Sequence, residues 1–143
     1  MKTYKGTITN INSNQIFVFG SNTQGRHGKG SALFAKNKCG AIYGQAKGLQ
    51  GNSYAIITKD LTKYIHPSIS EEFIIEQINE LYEYANNNLD KEFIVAYSGK
   101  GSNLNAYTPI EMAKFFNQTY IPTNMVFEEE FYNLIISLQL LKQ

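Results

Sequence analysis

The feature that most constrains the fold of this chain is the alternation of short, apolar, β-rich runs with segments of helical periodicity. Runs at residues 15–19, 54–57, 92–97 and 125–127 have the composition of buried strands. The segments between them place apolar residues at helical spacing. Strands that alternate with helices form parallel sheets covered on both faces. We therefore predict an α/β fold, a three-layer α/β/α sandwich with a mixed, largely parallel central sheet.

Local signals set the expected boundaries of these elements. Thr108, Pro109 and Glu111 form a strong helix start, with an N-cap hydroxyl, a proline at the first helical position and a capping box. Ser68 and Glu71 have the same spacing and predict a second capping box after Pro67. Residues 3–9 are expected to add an edge strand, and residues 1–143 are expected to form one domain.

Composition excludes several classes of protein. The 143 residues carry a formal net charge of +1. A non-specific nucleic-acid binder needs a larger excess of basic residues, so this class is excluded. Cys39 is the single cysteine and is expected to fill the core, and with only two histidines we predict no metal site and no cofactor. The glutamates at 128–130 favour a helix start over a metal site. No membrane span or signal peptide is indicated, so a cytoplasmic protein is expected.

Three unusual segments follow the predicted strands directly. They are residues 20–31, 58–60 and 98–103. Ligands of open α/β sheets bind outside the carboxyl ends of the strands, where these segments fall. Glycine lets backbone N–H groups approach an anion closely, and the start of a helix adds a favourable dipole. Two glycine-rich loops at neighbouring strand ends predict a cradle for a phosphate or diphosphate.

The predicted ligand-binding residues come from the first and the last of these segments. They are Gly20, Ser21, Asn22, Arg26, His27, Gly28, Lys29, Gly30, Ser31, Ser98, Gly99, Lys100, Gly101, Ser102 and Asn103. His27 is expected to make a polar contact rather than to act as a base. The segment is not a Walker A loop, since glycine and not Ser or Thr follows Lys29, and Leu33 stands where the dinucleotide fingerprint needs its third glycine.

At these residues a family resemblance emerges. Asn22 with residues 26–33 resembles the ADP-ribose-binding loop of macro domains, in particular the branch of the terminal ADP-ribose glycohydrolases and the antitoxins that remove ADP-ribose from DNA. Residues 57–59 are similar to the Thr-Lys element of that branch, and residues 99–101 to its Gly-Cys-Gly loop. Residues 5–9 are similar to the Lys-Gly-Asp-Ile-Thr start of many macro domains. The order of elements agrees over roughly the whole chain.

The resemblance implies a ligand and a mode of binding. The ligand would be ADP-ribose or a related nucleotide, with its diphosphate held by backbone N–H groups of residues 28–31 and 99–102 and its distal ribose near Asn22. Residues 19–28 and 48–56 also resemble segments of phage-encoded proteins of unassigned role. This implies a reader or a sponge for such a nucleotide, in the host cytoplasm if the chain is phage-encoded.

Two departures from the family pattern leave the activity open. Thr7 stands where macro domains often place the Asp that accepts a hydrogen bond from the adenine amino group. Asn103 stands where the glycohydrolase branch has an Asp that works with the lysine corresponding to Lys59. An amide cannot serve as a general base at neutral pH, so Asp60 would have to substitute.

Three alternatives follow for the function. The first is a binding module for an ADP-ribose-like nucleotide. The second is a hydrolase in which Lys59 is the catalytic residue, with ADP-ribosylated protein or nucleic acid as substrate. The third is a protein-interaction domain with a vestigial pocket. We expect no membrane partner, and a monomer or a weak dimer formed through the apolar residues 138–141.

Overall fold

A computed structural model describes residues 1–141 of the chain, and within that range the protein contains six strands and four helices. The strands are β1 (Thr3–Tyr4), β2 (Gln15–Asn22), β3 (Gly48–Gln50), β4 (Ser53–Lys59), β5 (Glu92–Val95) and β6 (Met125–Glu128). The helices are α1 (Gly30–Lys38), α2 (Glu71–Asn86), α3 (Pro109–Phe116) and α4 (Glu129–Leu141). That residues 1–143 form one domain stays a prediction, and residues 142 and 143 lie outside the described range.

The strands of the described chain form one sheet in the order β1-β6-β5-β2-β4-β3. Neighbouring strands are parallel except for the antiparallel pair of β3 and β4. The α/β class and the mixed, largely parallel sheet are therefore confirmed. The chain runs from β2 to β4 on one side and later returns to β5 on the other side of β2. This reversal is a topological switch point, and it leaves a crevice at the carboxyl ends of β2 and β5.

Alternating residues of β2 build the two apolar layers of the core. Ile16 and Val18 lie in the larger cluster, which packs against α2, α3 and α4. Phe17 and Phe19 point to the other face and pack against Ala32 and Ala35 of α1, among others. Burial of successive side chains on opposite faces places β2 in the middle of the sandwich.

Of the two predicted capping boxes, one is confirmed and one is wrong. Thr108 caps α3, and its capping box with Glu111 is present with Pro109 in the first turn. The capping box predicted at Ser68 is wrong, because α2 begins later and Ser70 accepts the N–H of Phe73 at 3.2 Å. The Ser68 hydroxyl instead accepts the N–H of Asp60 at 2.8 Å. It therefore belongs to the turn after β4.

Several strand boundaries differ from the prediction. β5, for example, ends at Val95, whereas the predicted strand continues to residue 97. β2 continues beyond Gly20 to Asn22, because it stays paired with β4 there. The edge strand predicted over residues 3–9 is confirmed only at Thr3–Tyr4. β3 was not predicted, and a tight turn at Gly51, whose φ is +59°, joins it to β4.

A side chain replaces a missing strand beside β4. β3 pairs with β4 only over residues 53–55, so the edge beyond Ala55 has no strand partner there. The Gln77 amide of α2 fills this place: its Oε1 accepts the N–H of Ile57 at 2.7 Å, and its Nε2 donates to the Ile57 carbonyl at 2.9 Å. Gln77 thereby fixes the half of β4 that leads to Lys59.

We expect Gln77→Met to lower the free energy of unfolding by about 1–3 kcal/mol, because both Ile57 backbone groups lose their partner while the volume is nearly kept. Urea unfolding followed by circular dichroism measures this change. Gln118→Met is the control for the loss of a solvent-exposed amide bond, because the Gln118 amide donates to the Lys114 carbonyl at 2.7 Å where water can replace it. It should shift stability by less than about 0.5 kcal/mol. Equal effects of the two substitutions would contradict the role of Gln77.

Candidate functional site

A cavity of about 1210 Å³ opens at the carboxyl ends of the strands, at the switch point. Its walls come from residues 6–9, from the loop between β2 and α1, from the end of β4 and from the loop after β5. Small-molecule sites usually enclose roughly 300–1,000 Å³. The cavity is thus large enough for a ligand of dinucleotide size.

Most of the predicted site residues lie in the wall of this cavity, together with Lys59 and Thr7. The predicted ligand-binding residues in the wall are Gly20, Ser21, Asn22, Arg26, Gly28, Lys29, Gly30, Ser31, Ser98, Lys100, Ser102 and Asn103. The two glycine-rich loops are neighbours, since Cδ1 of Leu104 lies 3.7 Å from the position that a Cβ on Gly30 would take. Whether these residues bind a ligand stays a prediction.

His27 is not in the cavity wall. Its imidazole is fully buried, with Nε2 3.1 Å from both the Gln45 carbonyl and Oε1 of Gln50. Both partners are carbonyl oxygens, so Nε2 carries the hydrogen and donates it. The ring also meets Phe19 edge to face at 5.2 Å between centroids. His27 makes polar contacts, as predicted, but they anchor the loop to β3 rather than face the cavity.

The second loop offers fewer amides than predicted. The Gly99 N–H donates to Oε1 of Glu128 at 2.7 Å, and a Cβ on Gly99 would lie 2.5 Å from the Glu130 backbone. The Lys100 N–H donates to the Ser98 hydroxyl at 3.1 Å. Gly99 and Gly101 are absent from the cavity wall. The prediction that the Gly99 amide holds a diphosphate is therefore wrong, because a carboxylate already occupies it.

The start of α1 is the part of the site best suited to an anion. Lys29 is the N-cap residue, in an extended conformation, and makes no side-chain capping bond. The first backbone bond of α1 runs from the Leu33 N–H to the Lys29 carbonyl, so the earlier N–H groups lack an acceptor within the helix. Gly28 and Gly30 line the cavity at this point. An uncapped helix start carries a positive partial charge that favours negative groups.

Asn22 shapes the first loop through its side chain. Its Oδ1 accepts the Arg26 N–H and its Nδ2 donates to the Arg26 carbonyl, both at 2.9 Å. The Gly25 N–H donates to the Asn22 carbonyl at 2.9 Å. Asn22 does not cap a helix, because α1 begins at Gly30 with Lys29 as its N-cap. Asn22 lies in the cavity wall, but its amide is committed to closing the loop.

The charges around the cavity are mostly positive. Its cationic side chains are Arg26, Lys29, Lys38, Lys59 and Lys100, and its carboxylates are Glu128 and Glu130. Lys100 is paired with Glu130 at 3.0 Å, whereas the other four cations have no carboxylate within 4.0 Å in residues 1–141. Since the whole chain has a net charge of only +1, positive charge is concentrated here. A cavity of this sign attracts anions.

Glu128 is a site residue that the sequence argument missed. Its buried carboxylate accepts the N–H groups of Gly99, Glu130 and Phe131 at 2.7, 2.9 and 3.0 Å. Burial raises the pKa of Glu128, but these N–H groups and Lys100 lower it by more, so the pKa lies below the ordinary value. Glu129 and Glu130 do start a helix, as predicted, but Glu128 is the last residue of β6. The missed signal was an acidic residue at the end of an apolar strand.

Lys59 lies in the cavity wall without the carboxylate partner that hydrolysis would require. β4 carries a bulge at Thr58, since Ser21 pairs with Ile57 but Asn22 pairs with Lys59. Such bulges re-aim side chains next to sites.

Neither position considered for the partner of Lys59 is suitable. The side-chain and backbone groups of Thr62 donate to the Asp60 carboxylate at 2.7 and 2.9 Å and lower its pKa, and Asp60 is not in the wall. Asn103 donates from Nδ2 to the Tyr107 carbonyl at 2.9 Å. The structure thus offers Lys59 no acid–base partner at either position.

Comparison with known proteins finds no match: no protein family, no curated protein and no solved structure matches the chain. Within residues 1–141, none of the helices is long and apolar enough to cross a membrane. The same residues contain no group of three or more His, Cys, Asp or Glu side chains placed to hold a metal ion. The fold and site define an α/β protein with a large, cationic cavity at the switch point of its sheet.

We expect Glu128→Gln to lower the free energy of unfolding at pH 7 by about 1.5–3 kcal/mol, because three N–H groups lose a charged acceptor. The folded-state pKa of Glu128 lies below the ordinary 4.5, so its contribution is present at neutral pH and is lost as the pH falls through that folded value. The two proteins should therefore converge in stability below pH 4.5.

Urea unfolding at a series of pH values measures the difference between wild type and variant. Glu76→Gln, at an exposed position on α2, is the control and should change stability little at any pH. If the difference in the free energy of unfolding between wild type and Glu128→Gln does not change with pH, the stabilising role of the charged carboxylate is wrong.

Proposed function

We propose that the protein binds ADP-ribose or a related ADP-ribose-derived nucleotide in this cavity, with the diphosphate at the start of α1. The observation that carries the proposal is an uncapped, glycine-rich helix start that opens into a large cavity with an excess of cations. Backbone N–H groups of residues 28–31 would hold the diphosphate, with Ser102 of the second loop in the same cavity wall.

An apolar part of the wall suits a nucleobase. Ile8, Phe17 and Phe34 lie there, and the Phe34 ring meets Phe17 edge to face at 4.9 Å between centroids. Flat aromatic ligands stack favourably on such surfaces. Thr7 lies in the same wall and offers a hydroxyl that both donates and accepts. Recognition of adenine would therefore not depend on a carboxylate.

A relationship to macro domains is part of this proposal. The segments that resemble that family are distant in sequence, and residues from four of them line one cavity: Thr7, Asn22, Lys59 and Lys100. A protein that binds the nucleotide without turnover would act as a reader or as a sponge that sequesters it, in a bacterial or phage-infected cell.

Binding accounts for the site better than the two alternatives. Hydrolysis through Lys59 lacks a partner, since Asn103 is an amide and the Asp60 carboxylate is engaged by Thr62. A vestigial pocket would be expected to collapse, whereas this cavity is open at about 1210 Å³.

We expect isothermal titration calorimetry to show one ADP-ribose bound per chain, and Gly28→Glu to weaken binding at least tenfold. A Cβ on Gly28 meets no atom within 4 Å, so the new carboxylate extends into the cavity without disturbing the fold and repels the diphosphate. Asn37→Glu adds the same charge at an exposed position of α1 outside the cavity wall and should leave affinity unchanged.

Equal melting temperatures of Gly28→Glu and Asn37→Glu would show that the loss of ADP-ribose affinity comes from the site and not from unfolding. If the wild type gives no binding heat at millimolar ADP-ribose, the proposal is wrong.

We expect neither the wild type nor Lys59→Ala to release ADP-ribose from ADP-ribosylated protein or DNA above background. The reason is the absence of a general acid–base partner for Lys59. Chromatography of the released nucleotide checks this. Release by the wild type that Lys59→Ala abolishes would instead establish the hydrolase alternative.

A further inference from the structure

The cavity extends along the whole length of α1. Gly30, Phe34 and Lys38 all lie in its wall. These residues are spaced by four, so they share one face of the helix. An α-helix rises about 1.5 Å per residue, which places Lys38 about 12 Å along the axis from Gly30. The cavity therefore has two ends, one at the start of α1 and one beside Lys38.

β2 gives a similar length independently. Ser21 and Phe17 both line the cavity, and residues of a strand are about 3.3 Å apart, so the two are separated by about 13 Å. The Phe17 ring meets Phe34 of α1 edge to face at 4.9 Å between centroids, so the two walls run side by side. The volume of about 1210 Å³ exceeds the roughly 300–1,000 Å³ of ordinary small-molecule sites. The cavity thus has room for a group beyond a nucleobase and a diphosphate.

Lys38 is a free cation at the second end of the cavity. The residue is exposed, and its side chain makes no hydrogen bond or ion pair within residues 1–141. Lys36 is the other lysine in the last turn of α1. It lies outside the cavity wall, with Nζ 5.5 Å from the centroid of the Tyr43 ring. Of these two lysines, only Lys38 lines the cavity.

The carboxylates of the wall do not neutralise this cation. Glu128 accepts three backbone N–H groups, and Glu130 is paired with Lys100 at 3.0 Å. Lys38 is therefore one of the four cations of the wall that have no carboxylate partner in the described part of the chain. Uncompensated positive charge in a cavity attracts anions.

We propose that the ligand carries a further phosphate on the ribose of its nucleoside, and that Lys38 binds this phosphate. This inference rests on the proposed function. With the diphosphate at Gly30 and the base against Phe17 and Phe34, the nucleoside lies along α1, one helical turn from Lys38. The diphosphate of ADP-ribose carries about two negative charges, and a phosphate monoester adds about 1.5–2 more at pH 7. Together they match the four unpaired cations, which a diphosphate alone does not.

The test compares two pairs of ligands by isothermal titration calorimetry. ADP-ribose is compared with ADP-ribose 2′-phosphate, and ADP with adenosine 3′-phosphate 5′-diphosphate, so that both positions of the further phosphate are covered. In the wild type, the phosphorylated member of at least one pair should bind roughly tenfold more tightly, as expected for one charge-assisted contact. Lys38→Gln should reduce this preference to within about twofold and leave the affinity for ADP-ribose unchanged.

Lys36→Gln is the matched control. It removes the same charge from the same turn of α1, outside the cavity wall. The preference for the phosphorylated ligand should therefore stay as in the wild type. The melting temperatures of both variants should remain close to that of the wild type, since both lysines are exposed.

Three outcomes would overturn the inference while the proposed function stands. The first is a wild type that binds ADP-ribose and shows no preference for either phosphorylated ligand. The second is an equal loss of affinity for ADP-ribose and its 2′-phosphate in Lys38→Gln, which would place the lysine against the base. The third is loss of the preference in Lys36→Gln as well, which would assign the effect to overall charge.

A different result separates the two proposals. If the wild type binds none of the four ligands, the proposed function fails and the inference fails with it.

Discussion

The parallel pairing of β2 with both β4 and β5 is the constraint on which the rest of the structure depends. Phe17 and Phe19 must be buried on one face of β2 and Ile16 and Val18 on the other, so this strand needs helices on both sides and strands at both edges. The chain continues from β2 to β4 on one side of β2 and later returns to β5 on its other side. The loops after β2 and β5 therefore run in opposite directions from the carboxyl ends of these strands. The cavity lies where they separate.

Near that cavity, polar side chains form hydrogen bonds with backbone groups that have no backbone partner. The Asn22 amide closes the first loop, the Glu128 carboxylate holds the second loop and the start of α4, and the Gln77 amide completes the edge of β4. The start of α1 has no such partner. The contrast supports the view that its N–H groups are kept for a ligand.

The sequence was sufficient for features that depend on local patterns. The apolar runs, the capping box at Thr108 and the glycine-rich loops are signals contained in a few consecutive residues, and they predicted the fold class and the edge of the sheet where the cavity lies. Features that depend on distant contacts escaped prediction. β3 is short and has no alternating pattern, and the bond from Gly99 to Glu128 joins residues 29 positions apart. His27 is buried by Gln50, a partner that no local pattern reveals.

The hydrogen bonds that close the loop at Asn22 have a consequence for the rate and the strength of the proposed binding. The side-chain bonds of Asn22 to Arg26 hold residues 22–26 in place before any ligand arrives. A preorganised loop loses little conformational entropy on association, so more of the contact energy is expressed as affinity. The free and occupied forms of this loop should then share one backbone path, and capture of the nucleotide would not wait for a slow rearrangement.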